Sequence, residues 1–268
     1  MSASKKNSSE NWTPHLKVAI QAAQAAAKIQ LASYDKAHTV NYKAETDLVT
    51  EVDRKCEETI VRIIKKAYPA HDFLLEETHI PKSESSFLWV VDPLDATTNY
   101  AHRYPHFCCS IALQYCSRTV LGVVLDPMRE ELYTAIENQG AFLNGKALSV
   151  STEDRLIRSL LATGFPKDIK KAKDKNLRKF ARILPLARSI RRSGSAALDL
   201  CFVAAGRLDG YWVLTLEAWD AAAGILMIKE AGGTVTDNRG QAPSLRTKAL
   251  VASNGRIHRH LFNLVYIS

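Results

Sequence analysis

Two aspartates, Asp92 and Asp95, directly follow the unbroken apolar run of residues 87–91. Such a run, bounded by polar residues, predicts a strand that is buried on both faces. Carboxylates at its end would be held rigidly, because Pro93 fixes the backbone between them. Backbone N–H groups just beyond them, where a helix could start, attract phosphate. This combination suits Mg²⁺, which binds few carboxylates and keeps substrate oxygens and waters. The alternative is that both aspartates are ordinary turn or cap residues.

Two further acidic groups strengthen the metal hypothesis. Glu76 and Glu77 end another apolar run, and Asp220 opens a predicted helix whose next residues, 221–224, are all small. Small residues permit close packing, so Asp220 could reach a site that it shares with the other carboxylates. The alternative is that Asp220 only complements the positive end of the helix dipole.

The surrounding sequence predicts alternating helices and strands on one continuous chain. The first helix should begin with Thr13 as N-cap and Pro14 at the first helical position. Asn144-Gly145 predicts a hairpin turn. Helical patterns cover 13–33, 50–68, 173–184, 195–205, 219–231 and the residues after 254; strand patterns cover 73–75, 87–91, 107–115, 119–125, 131–136, 158–163, 209–214 and the surroundings of 234 and 249. We therefore expect a layered α/β fold over residues 12–268, preceded by a flexible tail of residues 1–11.

The composition excludes several classes of protein. Of the 268 residues, 46% are apolar and 24% are charged, which is typical of a soluble globular protein rather than a disordered, collagen-like or membrane chain. There is no run of about eighteen apolar residues that could span a bilayer. Residues 1–11 lack the apolar stretch of a secretory signal, and the five cysteines form no CxxC pair. A cytoplasmic location with reduced thiols is the expectation.

The positive charge of the chain is concentrated in one segment. Residues 154–192 contain thirteen Lys or Arg and three Asp, a net charge of +10, whereas the rest of the chain has 23 basic and 25 acidic residues. Such a run is usually a solvated helix face. The alternative is attraction of an acidic partner or an anionic substrate, including weak contact with RNA.

Five motifs give the chain a family resemblance. They are WVVDPLDATTNYAH, DLVTEVD, EET, RRSGSAALDLCFVAAGRLDG and EAWDAAAG…EAGG, which occur in family order between about 18 and 254. Together they resemble the inositol monophosphatase family, and within it the bacterial SuhB-type branch. The resemblance implies a single-domain sugar-phosphatase fold, a five-layer α/β/α/β/α sandwich, and a homodimer. It also implies a lithium-sensitive phosphatase with two or three Mg²⁺ ions that hydrolyses inositol 1-phosphate or a related small polyol or sugar phosphate.

The resemblance also implies roles for individual residues. The metal ligands would be Glu76, Asp92, Asp95, Asp220 and the carbonyl oxygen of Leu94. Thr97 and Asp53 match the pair that orients and deprotonates the attacking water, and Glu77 and Lys43 match residues near the metals with less defined roles. The residues that would contact the substrate are Asp95, Ala96, Thr97, Thr98, Arg191, Gly194, Ser195, Ala196 and Asp220. Arg191 could equally be one more member of the basic run.

Three positions depart from the family pattern. Ala96 replaces a glycine, and we expect it to adopt an ordinary backbone conformation with negative φ. Val213 replaces a glutamate that hydrogen-bonds sugar hydroxyls in many members, so recognition of polyols should be weak. Glu217 stands at a position that is often basic or polar, and should add negative charge near the metals.

Two alternatives to the inositol phosphatase function stay open. One is a phosphatase for fructose bisphosphate, histidinol phosphate or a nucleotide bisphosphate. The other is an interaction protein, because SuhB-type proteins also act with the transcription machinery in ribosomal RNA transcription. A complete set of metal ligands favours an enzyme, whereas the basic segment 154–192 favours the interaction role.

Overall fold

The computed structural model describes residues 11–36, 40–44, 47–81, 83–166 and 175–267, with the backbone alone for 40–44, 47–50 and Lys175. The helices are α1 (Thr13–Tyr34), α2 (Glu51–Ala67), α3 (Thr97–Ala101), α4 (Lys175–Ile183), α5 (Ala196–Ala204), α6 (Ala218–Glu230) and α7 (His258–Phe262). The strands are β1 (Val40–Ala44), β2 (Asp47–Thr50), β3 (Asp72–Leu75), β4 (Phe87–Asp95), β5 (Cys108–Tyr115), β6 (Arg118–Asp126), β7 (Glu131–Ile136), β8 (Gly140–Leu143), β9 (Lys146–Ala147), β10 (Leu160–Thr163), β11 (Ser189–Arg191), β12 (Gly210–Val213), β13 (Thr234–Asp237) and β14 (Leu250–Ser253). Residues 1–10 of the expected flexible tail lie outside the described residues.

Most strands belong to two sheets. The larger sheet has the order β3-β4-β5-β6-β7-β8-β9, in which only the β3–β4 pair is parallel. The smaller sheet has the order β11-β10-β12-β14-β13, with β10 parallel to both of its neighbours. Strands β1 and β2 form a separate antiparallel pair.

Helices separate and cover the two sheets in five layers. Helices α1 and α2 cover the outer face of the larger sheet, α5 and α6 lie between the sheets, and α4 and α7 pack on the far face of the smaller sheet. Because strand residues alternate between faces, Trp89 and Val91 of β4 point towards α1 and α2 while Val90 points towards the central layer. The predicted α/β/α/β/α sandwich is confirmed.

Small residues bring α6 close to its neighbours. A Cβ added at Gly122 of β6 would lie 2.9 Å from the Cα of Ala223, and one at Gly224 would lie 2.5 Å from the Cβ of Leu200 in α5. Neither distance is tolerated between real atoms, so both glycines are needed for this packing. The close approach predicted for residues 221–224 is therefore confirmed.

The element boundaries differ from the predictions in a few places. Thr13 is the first helical residue and Trp12 the N-cap, while Asn11 accepts the Thr13 N–H at 3.1 Å; the assignment of Thr13 as N-cap was wrong. The edge strand β11 was not predicted, because its three residues lie in the basic run and pair on one side only. Within the described ranges, no helix combines the length and apolar character of a membrane span.

Strand β4 continues four residues beyond its apolar run. Its antiparallel pairing with β5 includes Asp92 opposite Ser110 and Asp95 opposite Cys108, with an irregularity between the two pairs. Both aspartates are therefore anchored in the sheet rather than in a free turn. This backbone pairing gives them the rigidity that the sequence predicted.

Ala96, which follows directly, has a left-handed conformation with φ 73° and ψ 48°. The expectation of negative φ was wrong. The chain must turn sharply from the end of β4 into α3, and it does so at a residue whose methyl group makes this conformation unfavourable by roughly 1–2 kcal/mol. A glycine would adopt it without that cost.

Replacing Ala96 by Gly should therefore stabilise the protein. We expect the free energy of unfolding to rise by about 1 kcal/mol in urea denaturation, since the relieved strain exceeds the added chain entropy of glycine. Ala101→Gly, within α3, is the matched control and should lower the same quantity by roughly 0.5–1 kcal/mol. Equal destabilisation by both substitutions would contradict the strained conformation at Ala96.

Candidate active site

Three aspartates from two elements converge between the sheets. Asp92 and Asp95 end β4, and Asp220 lies in the first turn of α6. One carboxylate oxygen from each lies within 4.8 Å of the other two, and Asp92 and Asp95 are buried. Asp220 also accepts the backbone N–H of Glu217 at 2.7 Å, as a helix-capping residue does. Asp220 therefore caps α6 and also lies in the carboxylate cluster, so the two interpretations of this residue are compatible.

The cluster is electrostatically unfavourable without a cation. Burial raises the pKa of Asp92 well above its usual range, and the neighbouring carboxylates of Glu76, Asp95 and Asp220 raise it further. No described Lys or Arg forms an ion pair with Asp92 or Asp95. Without a cation, the folded protein therefore keeps a proton on Asp92 at pH values where the unfolded chain has released it. The contribution of Asp92 to the free energy of unfolding falls as the pH rises above the ordinary carboxyl pKa.

Glu76 reaches the same site from the neighbouring strand. It follows β3, which is parallel to β4, so the two strands end at the same edge of the sheet. Glu76 lines the cleft together with Leu94, whose carbonyl oxygen lies 3.2 Å from the Thr97 hydroxyl oxygen. All five predicted metal ligands are thus found in one cleft.

Thr97 and Asp53 form a pair beside the carboxylates. The Thr97 hydroxyl donates to Asp53 Oδ1 at 3.0 Å, and Asp53 is buried in the first turn of α2. Lone pairs of the hydroxyl oxygen can then accept a hydrogen bond from a water. The predicted proximity of these two residues is present in the structure.

Asp95 is held by the start of α5. Its Oδ2 accepts hydrogen bonds from the Ser195 hydroxyl and from the Ala197 N–H at 3.0 Å, while the Cys108 thiol lies 3.8 Å away. Burial raises the pKa of Asp95, and these donors oppose that shift because they favour the ionised form. Asn99 of α3 donates to the Ser193 carbonyl at 3.0 Å, which connects α3 to the segment before α5.

These residues line a cleft of about 670 Å³. It contains the predicted substrate contacts other than Arg191, together with side chains that sequence reasoning missed, among them Phe165, Pro166, Arg192 and Trp219. Arg191 instead donates to Ser189 Oγ at 2.6 Å on the same face of β11. Because successive strand residues face opposite sides, Arg192 rather than Arg191 reaches the cleft. Knowing that residues 189–191 form a strand would have indicated which arginine lines the cleft.

Three other expectations have different outcomes. The backbone N–H of Glu77 donates to Glu57 Oε2 at 2.9 Å, and the expected role of its side chain near the metals stays a prediction. Lys43 lies in β1, where its side chain is outside the described residues. Glu217 is ion-paired with Lys248, so it adds less negative charge near the aspartates than the sequence suggested.

Comparison with known proteins decides the family. The model of the inositol monophosphatase family matches residues 11–267. The chain belongs to this family. It is 43% identical to the inositol-1-monophosphatase of Synechocystis sp., covering 92% of this chain and 86% of that protein. It is 42% identical to the Nus factor SuhB of Pseudomonas aeruginosa, covering 94% and 96%.

A solved structure agrees. The extragenic suppressor protein suhB from Bartonella henselae superposes with a TM-score of 0.91 at 39% identity, over 96% of this chain and all of that one. Membership of the inositol monophosphatase family supports a phosphatase, and the family is generally metal-dependent. The aspartate cluster fits a hard metal cation such as Mg²⁺. Among the described residues, only carboxylate oxygens converge there, and a hard cation relieves their mutual repulsion.

Proposed function

We propose that this protein is a Mg²⁺-dependent phosphomonoesterase that hydrolyses inositol 1-phosphate or a related small polyol or sugar phosphate. The observation that carries the proposal is the convergence of Asp92, Asp95 and Asp220 beside the Thr97–Asp53 pair. A metal site next to a group that can take a proton from water is what metal-assisted ester hydrolysis requires. Family membership supports the same reaction class.

Glu76, Asp92, Asp95, Asp220 and the Leu94 carbonyl would hold two or three Mg²⁺ ions. Bound Mg²⁺ supplies an activated water and charge neutralisation on the departing alkoxide. Asp95 is kept in place by Ser195 and Ala197, so its oxygens stay in position as the phosphate enters. Arg192 adds a positive charge to the cleft that attracts an anionic substrate.

Thr97 and Asp53 would handle the proton of the attacking water. The Thr97 hydroxyl accepts a hydrogen bond from the water while it donates its own proton to Asp53 Oδ1. As the water attacks phosphorus, the water proton moves to Thr97 and the Thr97 proton to Asp53. Because Asp53 is buried in α2, its orientation is fixed before the substrate binds.

The alcohol part of the substrate would meet a cleft lining that includes the apolar side chain of Val213. Val213 lines the cleft with Phe165 and Trp219, and Val213 offers no acceptor to a sugar hydroxyl. The same site could therefore accept fructose bisphosphate, histidinol phosphate or a nucleotide bisphosphate, which share the reacting group. We expect shallow discrimination among small phosphate esters.

Metal removal tests the reaction class. EDTA should stop phosphate release from inositol 1-phosphate, Mg²⁺ should restore it, and Li⁺ should inhibit it. Asp92→Asn should lower kcat/KM by at least about a hundredfold, roughly 2.7 kcal/mol, because a charge of the metal site is lost. Glu84→Gln, which changes an exposed carboxylate before β4, is the control and should leave the rate unchanged. Activity that survives both EDTA and Asp92→Asn would refute the proposal.

Val213→Glu tests the origin of substrate selectivity. The new carboxylate should raise kcat/KM for inositol 1-phosphate relative to glycerol 2-phosphate by about tenfold to a hundredfold, because it can accept hydrogen bonds from ring hydroxyls. Val213→Gln introduces a side chain of the same shape as glutamate but without its charge, so it separates the effect of hydrogen bonding from the effect of charge. If the unmodified protein already prefers inositol 1-phosphate by several thousandfold, the hydroxyls are recognised elsewhere and this assignment fails.

A role with the transcription machinery is the second candidate. Relatives at about 42% identity bear the name Nus factor SuhB, and the segment 154–192 carries the basic excess of the chain. Binding to RNA polymerase or RNA that persists in Asp92→Asn would separate this role from catalysis. The homodimer and the cytoplasmic location stay predictions.

A further inference from the structure

A buried glutamine on α1 contacts the end of β4 between the two aspartates of the candidate metal site. Gln30 lies on the apolar face of α1 and is fully buried. Its Nε2 donates a hydrogen bond to the carbonyl oxygen of Pro93 at 2.8 Å, across 63 residues of sequence. Pro93 lies between Asp92 and Asp95, so this hydrogen bond restrains the backbone that carries both aspartates of the candidate metal site.

The Pro93–Leu94 peptide is held from both sides. Its carbonyl accepts from Gln30, and its N–H, on Leu94, donates to Asp92 Oδ1 at 3.0 Å. Hydrogen bonds in such a chain polarise one another, so the bond from Gln30 strengthens the donor that contacts the Asp92 carboxylate. It also fixes the peptide plane and hence the direction of that carboxylate.

The same residue of α1 also contacts α3. The hydroxyl of Tyr100 donates to the backbone carbonyl of Gln30 at 2.7 Å. Tyr100 is fully buried in α3, the helix that follows β4 after Ala96. One position of α1 therefore restrains the end of β4 through Pro93 and the following helix through Tyr100.

Packing alone does not explain an amide at this position. The Gln30 Oε1 atom is buried and has no hydrogen-bond partner among the described residues. An unsatisfied buried acceptor lowers stability, whereas an apolar side chain of the same size would avoid this loss. The amide is thus unfavourable for folding except through its single bond to Pro93.

We infer that Gln30 is a positioning residue for the metal site, which fixes the Pro93–Leu94 peptide and through it the Asp92 carboxylate. This inference rests on the proposed metal-dependent function. Gln30 does not line the cleft, so its replacement should weaken metal binding beyond any effect on the stability of the fold. Supporting residues of this kind typically change metal affinity by tenfold or more.

Calorimetric titration with Mg²⁺ provides the test. Gln30→Met keeps the length of the side chain and removes the donor, and we expect it to weaken Mg²⁺ binding by about tenfold. The urea midpoint measured in EDTA should change little, because removal of the unsatisfied Oε1 offsets the loss of the donor to the buried Pro93 carbonyl. KM for inositol 1-phosphate at saturating Mg²⁺ should be unchanged. Gln24→Met, an exposed glutamine on the same helix, is the matched control and should bind Mg²⁺ as the unmodified protein does.

The other outcomes separate this inference from the proposed function. Unchanged Mg²⁺ affinity in Gln30→Met overturns the positioning role and leaves the phosphatase proposal intact. Weaker binding together with a lower urea midpoint, repeated in Gln30→Leu, identifies a purely structural residue and also overturns it. If the unmodified protein binds no Mg²⁺, the metal-dependent function fails and this inference fails with it.

Discussion

Mutual repulsion among buried carboxylates is the constraint on which the rest of this structure depends. At about 4 Å, two like charges near a protein surface repel by roughly 4 kcal/mol, and here Asp92, Asp95 and Asp220 meet within 4.8 Å of one another. Such a cluster persists only where the surrounding elements hold each carboxylate independently. A hard divalent cation converts this repulsion into attraction, which is why the site and the proposed chemistry are inseparable.

Several different contacts of the five-layer fold hold the carboxylates in place. Backbone pairing of β4 with β5 extends past the apolar run and fixes Asp92 and Asp95. Glycines at 122 and 224 let α6 lie close to β6 and α5, which brings Asp220 to the end of β4. The first turn of α5 then holds Asp95 from the opposite side of the cleft. The chain turns sharply from β4 into α3 at Ala96, and the positive φ of this residue strains the backbone there.

The sequence predicts the layers and the convergence of the aspartates well, because both depend on local patterns. The apolar run before Asp92 and the small residues after Asp220 are readable without any knowledge of distant contacts. The structure differs from the expectations where contacts between distant residues decide the placement of a side chain. The choice between Arg191 and Arg192 depends on a three-residue edge strand, and Lys248 partners Glu217 from 31 residues away.

Ala96 and Gln30 show a different limit of sequence reasoning. The conformation of Ala96 follows from the direction in which α3 must leave β4, and nothing in the residue itself indicates positive φ. Gln30 lies in an Ala-rich helix, where it reads as one more polar residue. Only its three-dimensional contact with Pro93 reveals a relation to the site.

Anomalous diffraction from crystals soaked in Mn²⁺ tests the central claim most directly, because it locates divalent cations without reference to activity. The account predicts anomalous peaks between the carboxylates of Asp92, Asp95 and Asp220, and their loss in Asp92→Asn crystals soaked in the same way. Peaks only at other surfaces, with the three carboxylates hydrogen-bonded to one another instead, would contradict it.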